Sequence, residues 1–327
     1  MNKAFVTGAS GFIGSTLVDD LLKRGFSVKC AIRKSSNLQW LEGKNVELCE
    51  IDLFDEQSIV DSISGCNYIF HIAGMLFGNS EQEYLKGNLE LTKNIVDASL
   101  KSDTEIKRFV YVSSIIAAGS SSDGEPMTES DLCRPFTWYG KSKFESETYL
   151  IEKKDKLPFS IIRPGAVYGP RDYALFIMFQ FSKLGINAIL GEKGKLGSMI
   201  HISDLTSGII NAALSGNAKN EIYFLANDEF RSQEYFSEII IIHFGKKPIN
   251  IVIPYWFLNI GAYMSEIYCR IFNKIAIFNH QKLMELRERY LICSNNKAQR
   301  DFGFEQKISL EDGVKSTMAW YKENKWL

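Results

Sequence analysis

The 327 residues are 45% hydrophobic and 24% charged, enough apolar material for a sizeable core and too much for a disordered chain. With 38 Lys and Arg against 39 Asp and Glu, the formal net charge is −1. No basic surplus is available for a phosphate backbone, so no nucleic-acid partner is expected. The six cysteines include no CxxC pair and there are four histidines, which argues against a zinc site or a disulfide framework. No metal is expected, and the composition reads as that of a reducing, cytoplasmic protein.

Met1-Asn2-Lys3 leads into Ala4-Phe5-Val6-Thr7-Gly8, too short an apolar run for a signal peptide. Lys3–Val6 reads as a short buried strand. A glycine turn follows, then an amphipathic helix with Ile13, Leu17, Val18, Leu21 and Leu22 on one side. Ser27–Ile32, Val46–Ile51, Tyr68–Ile72 and Phe109–Val112 are further strands with helical periodicity between them, and no proline occurs before Pro126. Repeated strand–helix units predict a parallel sheet covered on both faces, with right-handed crossovers.

After Pro170 aromatics become dense and element lengths irregular. The expected division is a dinucleotide-binding domain over 1–169 and, mainly, a substrate lobe over 170–327. Glu221–Ala226 is expected to return as a strand to the first sheet, and Ser309-Leu310-Glu311-Asp312 to open a last helix. Residues 248–265 are uncharged but include Asn250, Pro254, Asn259 and Gly261. That is at the lower limit of a spanning helix and interrupted, so a soluble or substrate-lining segment is expected rather than membrane contact.

Thr7-Gly8-Ala9-Ser10-Gly11-Phe12-Ile13-Gly14 places Gly8, Gly11 and Gly14 between a strand and a helix. Glycines allow close approach of a pyrophosphate, and the helix start offers N–H groups and a positive dipole end. In this setting the motif points to dinucleotide binding. The second strand ends Cys30-Ala31-Ile32-Arg33-Lys34, without the acid that commonly bonds a ribose 2′-OH. Arg33 and Lys34 favour a 2′-phosphate, hence NADP over NAD. Asp52 and Leu53 suit contact with an adenine ring. Ala73, beside Gly74, lets a cofactor lie against backbone, while His71 reads as packed rather than catalytic.

Tyr139 and Lys143 stand at i and i+4 in Tyr139-Gly140-Lys141-Ser142-Lys143, on one face of a predicted helix. A phenol with an ordinary pKa near 10 is a poor base at neutral pH, and a neighbouring ammonium, with an oxidised nicotinamide ring nearby, is expected to lower it. Ser113-Ser114 ends the strand before, so Ser114 is a candidate to hydrogen-bond a substrate oxygen at the carboxyl edge of the sheet.

Together these segments, with Arg163-Pro164-Gly165-Ala166-Val167-Tyr168-Gly169-Pro170 and His201-Ile202-Ser203-Asp204-Leu205, resemble the extended short-chain dehydrogenase/reductase (NAD-dependent epimerase/dehydratase) family. The resemblance implies an α/β fold, a Rossmann-type doubly wound parallel sheet with a smaller C-terminal substrate lobe. It implies Tyr139 as general acid/base, Lys143 as partner of the nicotinamide ribose, and Ser114 as the group orienting the substrate oxygen. Phe12 and Ile13 would offer backbone N–H groups to the pyrophosphate, Pro164 and Val167 would border the nicotinamide, and Asn88 would be structural. A homodimer is a further expectation from resemblance.

Three branches of the family were weighed. Sugar-nucleotide dehydratases carry a Thr-Asp-Glu triplet where this chain has Ser114-Ile115-Ile116, which leaves water elimination without its acids. Nucleotide-sugar epimerases, with tightly bound NAD, place an arginine for the diphosphate where Lys195–Ile200 has glycine, although Lys195 could substitute. The branch of dihydroflavonol 4-reductases and 3β-hydroxysteroid dehydrogenases is the nearest. Arg33 matches its NADP-type members, and the apolar Ile251–Leu258 run suits a hydrophobic ketone or secondary alcohol. The resulting expectation is an NADP(H)-dependent oxidoreductase acting on a small molecule.

Overall fold

The computed structural model describes residues 2–227, 229–272 and 274–327. Seven strands form one parallel sheet: β1 (Lys3–Thr7), β2 (Ser27–Ile32), β3 (Glu47–Glu50), β4 (Tyr68–His71), β5 (Arg108–Val112), β6 (Phe159–Pro164) and β7 (Glu221–Leu225). Their spatial order is β7-β6-β5-β4-β1-β2-β3, and every neighbouring pair is parallel. The order reverses between β1 and β4, and the carboxyl ends of strands beside such a reversal are where ligands bind in open α/β sheets.

Alternation along the strands assigns the two faces. Ala4 and Val6 point to a cluster with Leu17, Val18 and Leu21 of α1 (Phe12–Lys23). Phe5 points the other way, to a cluster with Ile59 and Ile63 of α2 (Glu56–Ile63), Ile95 and Val96 of α3 (Leu91–Lys101), and Leu150 of α4 (Trp138–Ile151). Each fully buried Leu, Ile or Phe contributes about 1.5–3 kcal/mol of transfer free energy. The first cluster also takes Leu205, Ile209 and Ile210 from α5 (Ile202–Leu214), together with Ala298 and Phe304. Thus elements beyond residue 170 help build the sheet's core. Gly25, at φ +79°, ends α1 in a conformation that side chains resist.

The rest of the C-terminal half gathers around a second centre. Helices Phe176–Lys183, Gln233–His243 and Leu310–Glu323 bury Phe179, Phe236, Ile240, Val314 and Tyr321 together with Tyr168. A parallel pair of strands, Ile186–Leu190 and Ile249–Ile253, leads into helix Tyr255–Ile271 and then helix His280–Arg287. The Lys195 ammonium joins these pieces, donating to the Leu190 carbonyl at 2.6 Å, to the Leu286 carbonyl and to the Tyr255 hydroxyl at 3.3 Å. Among the described residues no helix is long and apolar enough to cross a membrane.

Candidate active site

The glycine loop is built by sterics. Gly8 sits at φ +70°, and a Cβ there would lie 2.8 Å from the Ala73 nitrogen. A Cβ on Gly14 would lie 2.1 Å from the Gly8 carbonyl oxygen, so only glycine lets the helix start close against the turn. Gly11 differs: a Cβ there meets only the Gly8 oxygen, at 3.3 Å. Gly11 is exposed and caps α1 without any side-chain hydrogen bond. The start of α1, with Phe12 and Ile13 in its first turn, therefore presents a backbone cradle. Its shape and dipole suit a pyrophosphate.

Behind the loop runs a buried polar wall. Thr7 Oγ1 lies 2.7 Å from His71 Nδ1 and accepts from the Ala73 N–H at 3.2 Å. The other imidazole nitrogen, Nε2, lies 3.0 Å from Thr92 Oγ1. Burial, with Lys143 nearby, pushes the His71 pKa down to about 3, so the ring is neutral at physiological pH. It is a packed residue stacked on Tyr111. Asn88 occupies a π-helical turn, Leu85–Glu90. It accepts from the Met75 N–H at 2.8 Å and donates to the Met75 carbonyl at 3.1 Å and to Ser142 Oγ at 2.9 Å. Those three bonds tie the segment after β4 to α4, a structural task.

Ser114 follows β5 and caps the short helix Ile115–Ala118, its hydroxyl accepting from the Ile116 N–H at 3.2 Å. Tyr139 is in the first turn of α4, which Thr137 caps by accepting from the Gly140 N–H. Gly140 lets α4 approach the short helix, since a Cβ would lie 2.5 Å from the Ile116 carbonyl oxygen. The Ser114 hydroxyl lies near enough to the Tyr139 phenol to favour its ionised form. One turn on, buried Lys143 donates to the Val112 carbonyl at 2.7 Å, with its ammonium 4.5 Å from the centre of the Tyr111 ring.

The electrostatics differ from the sequence-based expectation of a lowered tyrosine pKa. Among the protein's own groups, burial raises the Tyr139 phenol above its ordinary value. Ser114 pulls the other way, while Glu285 and Tyr84 add to the rise. Burial also pushes Lys143 down to about 7, opposed by Glu147. The reason for the difference is that both groups lie deep, where desolvation disfavours either charge, and the ammonium is aimed at Val112 and Tyr111.

Beyond β2, Arg33, Lys34 and Ser35 line an open cavity of about 710 Å³ with Glu50, Ile51, Asp52 and Ser58. Arg33 and Lys34 are exposed, and among the described residues neither forms an ion pair. Asp52 accepts from the Phe54 N–H at 2.9 Å, and the Leu53 carbonyl accepts from Asn94 at 3.0 Å, which fixes this turn beside the cavity. Ala73 borders the glycine loop. Pro164 ends β6, and Val167 pairs with Ile200 in a short parallel bridge of strands. Gly8 to Gly14, Arg33 and Lys34, Asp52 and Leu53, Ala73 and Val167 follow the carboxyl ends of β1, β2, β3, β4 and β6, Pro164 ends β6, and Tyr139 and Lys143 stand on α4.

Several residues near the site escaped the sequence reading. Arg163 and Glu147 form a buried ion pair at 2.6 Å with side chains 3% and 1% exposed, joining β6 to α4. The signal was an arginine in the apolar strand Phe159–Pro164. From the C-terminal lobe, Gln281 accepts from the Trp138 N–H at 2.7 Å. Tyr84 packs edge-on to Tyr139 with ring centres 6.3 Å apart. Lys195 is held by carbonyls and Tyr255, which leaves its ammonium engaged within the lobe.

A family model described as the NAD dependent epimerase/dehydratase family matches residues 4–226. The chain belongs to that family. Members of the epimerase/dehydratase family similar to it include a decarboxylating sterol-4-alpha-carboxylate 3-dehydrogenase of Dictyostelium discoideum, 25% identical over 96% of this chain and 99% of that one. A 2-alkyl-3-oxoalkanoate reductase of Shewanella oneidensis is 25% identical over 98% of this chain and 86% of that one. Among solved structures, a UDP-glucose 4-epimerase from Thermotoga maritima with UDP-glucose superposes with a TM-score of 0.81 at 22% identity, covering 99% of both chains. That likeness establishes the fold. The protein is an enzyme of this epimerase/dehydratase family acting at CH–OH groups, and the family binds a nicotinamide dinucleotide.

Proposed function

We propose that this enzyme interconverts a ketone and a secondary alcohol on a hydrophobic small molecule, using NADP(H). The observation that carries the reading is the convergence of Ser114, just past the end of β5, with Tyr139 in the first turn of α4 and Lys143 one turn further along. The residues fit the cofactor: the open side of Gly11 and the uncapped start of α1 would hold the pyrophosphate, and the free cations Arg33 and Lys34 would hold a 2′-phosphate. A bound nicotinamide dinucleotide supplies the hydride donor or acceptor. Ser114 Oγ holds the substrate oxygen, and Tyr139 Oη gives it a proton in reduction and takes one back in oxidation. Because burial keeps the phenol protonated, its resting form is the acid, which suits ketone reduction.

The relatives named above include a dehydrogenase and a reductase, which supports oxidoreductase chemistry. The epimerase reading, with tightly held NAD, draws on the structural neighbour that bears UDP-glucose. The engagement of Lys195 inside the lobe weighs against its standing in for the missing diphosphate arginine.

Denaturing the purified protein and identifying the released nucleotide separates the two. Little nucleotide, or NADP(H), is the expected outcome; near-stoichiometric NAD overturns the assignment of Arg33 and favours the epimerase. In a ketoreductase assay, Tyr139→Phe is expected to lower turnover by about 10²–10⁴ with NADPH binding nearly intact. Turnover at the wild-type rate would sink the mechanism.

A further inference from the structure

Outside the active site, the broadest apolar surface lies on the outer face of helix Tyr255–Ile271. Trp256 is 65% exposed, Met264 61% and Ile271 68%, with Ile260 and Tyr263 between them. Their spacing of three and four places them on one side of the helix. The inner side is already satisfied, because Leu258 and Ala262 are buried against Leu283 of the following helix. A surface monomer does not ordinarily leave such a stripe in water.

Charge around the stripe narrows what covers it. Residues 248–272 contain two charged side chains, Glu266 and Arg270. Glu266 is occupied, accepting from the His280 N–H at 2.8 Å and facing His280 Nδ1 at 3.1 Å. Lys246 and Lys247 precede the stripe, while Arg270 and Lys274 close it. An apolar face with Trp and Tyr, bracketed by cations, matches a helix lying in the headgroup region, where amphipathic rings settle and basic residues meet anionic lipid. At 17 residues the helix is about 25 Å long. It lies along such a surface without crossing it. A two-fold pairing of this face between copies would gather the same cations on both sides, an unfavourable arrangement.

We propose that the outer face of helix Tyr255–Ile271 docks on an anionic lipid surface, with Trp256, Ile260, Tyr263, Met264 and Ile271 immersed among the headgroups. The sequence suggested no membrane contact because the run is at the lower limit for spanning and is broken. Lying on a surface needs only one apolar face, and the fold leaves that face outward.

The test is flotation of the full-length protein with vesicles of phosphatidylcholine, alone or mixed with phosphatidylglycerol. The protein should float with the mixed vesicles, weakly with the neutral ones, and less at high salt. Met264→Glu should weaken partitioning by at least about ten-fold, and Lys274→Gln by about five-fold on anionic vesicles only, the effect of losing one basic residue near the surface. Circular dichroism and the thermal midpoint should be unchanged, and Trp256→Ser provides a second variant should Met264→Glu misfold. Wild-type protein that stays down with both vesicle types overturns the proposal, as does flotation indifferent to these substitutions. So does a dimer in sedimentation velocity that Met264→Glu converts to monomer, since a second copy would then be the occupant.

Discussion

The two halves of the molecule solve opposite problems. Around the sheet, polar side chains are taken inside and held by specific partners: His71 between two threonines, Asn88 across three bonds, Arg163 on Glu147. In the helix Tyr255–Ile271 region, apolar groups are left outside. The contrast shows where geometry is demanded. A proton-transfer site needs fixed atoms, and buried, partnered polar groups fix them because displacement strands a donor or charge. An apolar outer face fixes nothing and is available for contact.

The sharpest way to break this comparison is at Glu147. Glu147→Gln leaves the Arg163 guanidinium buried without its counter-charge, and is expected to cost about 3–5 kcal/mol of stability in urea denaturation. A loss below 1 kcal/mol, within the range of exposed ion pairs, would mean that the buried pair does not anchor α4. Replacing both residues with apolar ones of similar size should recover much of that loss.

A pH series sharpens the same point. The folded protein holds Lys143 at about 7 by burial, against an ordinary value of 10.5. Between those values the unfolded chain binds more protons, so stability should rise with pH across that window. Lys143→Met should flatten the rise in a calorimetric series. On the acid side, His71 held at about 3 makes stability fall as pH drops below 6.5. Asp172, raised to about 6 by burial, works the other way between 3.8 and 6 and partly offsets it.

The smallest effects should come from the lobe's exposed face. Tyr263→Ser and Ile277→Ser replace side chains that are 59% and 65% exposed, and each should change the unfolding free energy measured in urea by no more than about 0.5 kcal/mol. A large loss at either would show that this surface is a hidden core and would dissolve the contrast.

Much of the sheet half was legible because its signals are local. The Gly8–Gly14 motif, the strand alternation and the Tyr139–Lys143 spacing each need only a few neighbouring residues, and the structure places them on a shared sheet edge. Chain-distant contacts were not legible. Gln281 reaches the start of α4 from 143 positions away, across irregular elements whose register no periodicity sets. The rise that the protein's own groups impose on Tyr139 was not legible for a related reason: i,i+4 spacing gives proximity, whereas the shift depends on how deeply both groups are desolvated. Around residue 256 the aromatic run is apolar on nearly every side, so composition could not tell an inward face from an outward one.

Lys195 carries a consequence for how the molecule comes apart. One ammonium gathers the ends of three chain segments, at Leu190, Tyr255 and Leu286. Holding it there means that losing any one of those oxygens strands a half-buried charge and loosens its grip on the other two. The strand pair Ile186–Leu190 and Ile249–Ile253 and the helices Tyr255–Ile271 and His280–Arg287 are thereby tied to one another, and are expected to open together as a cooperative unit distinct from the sheet.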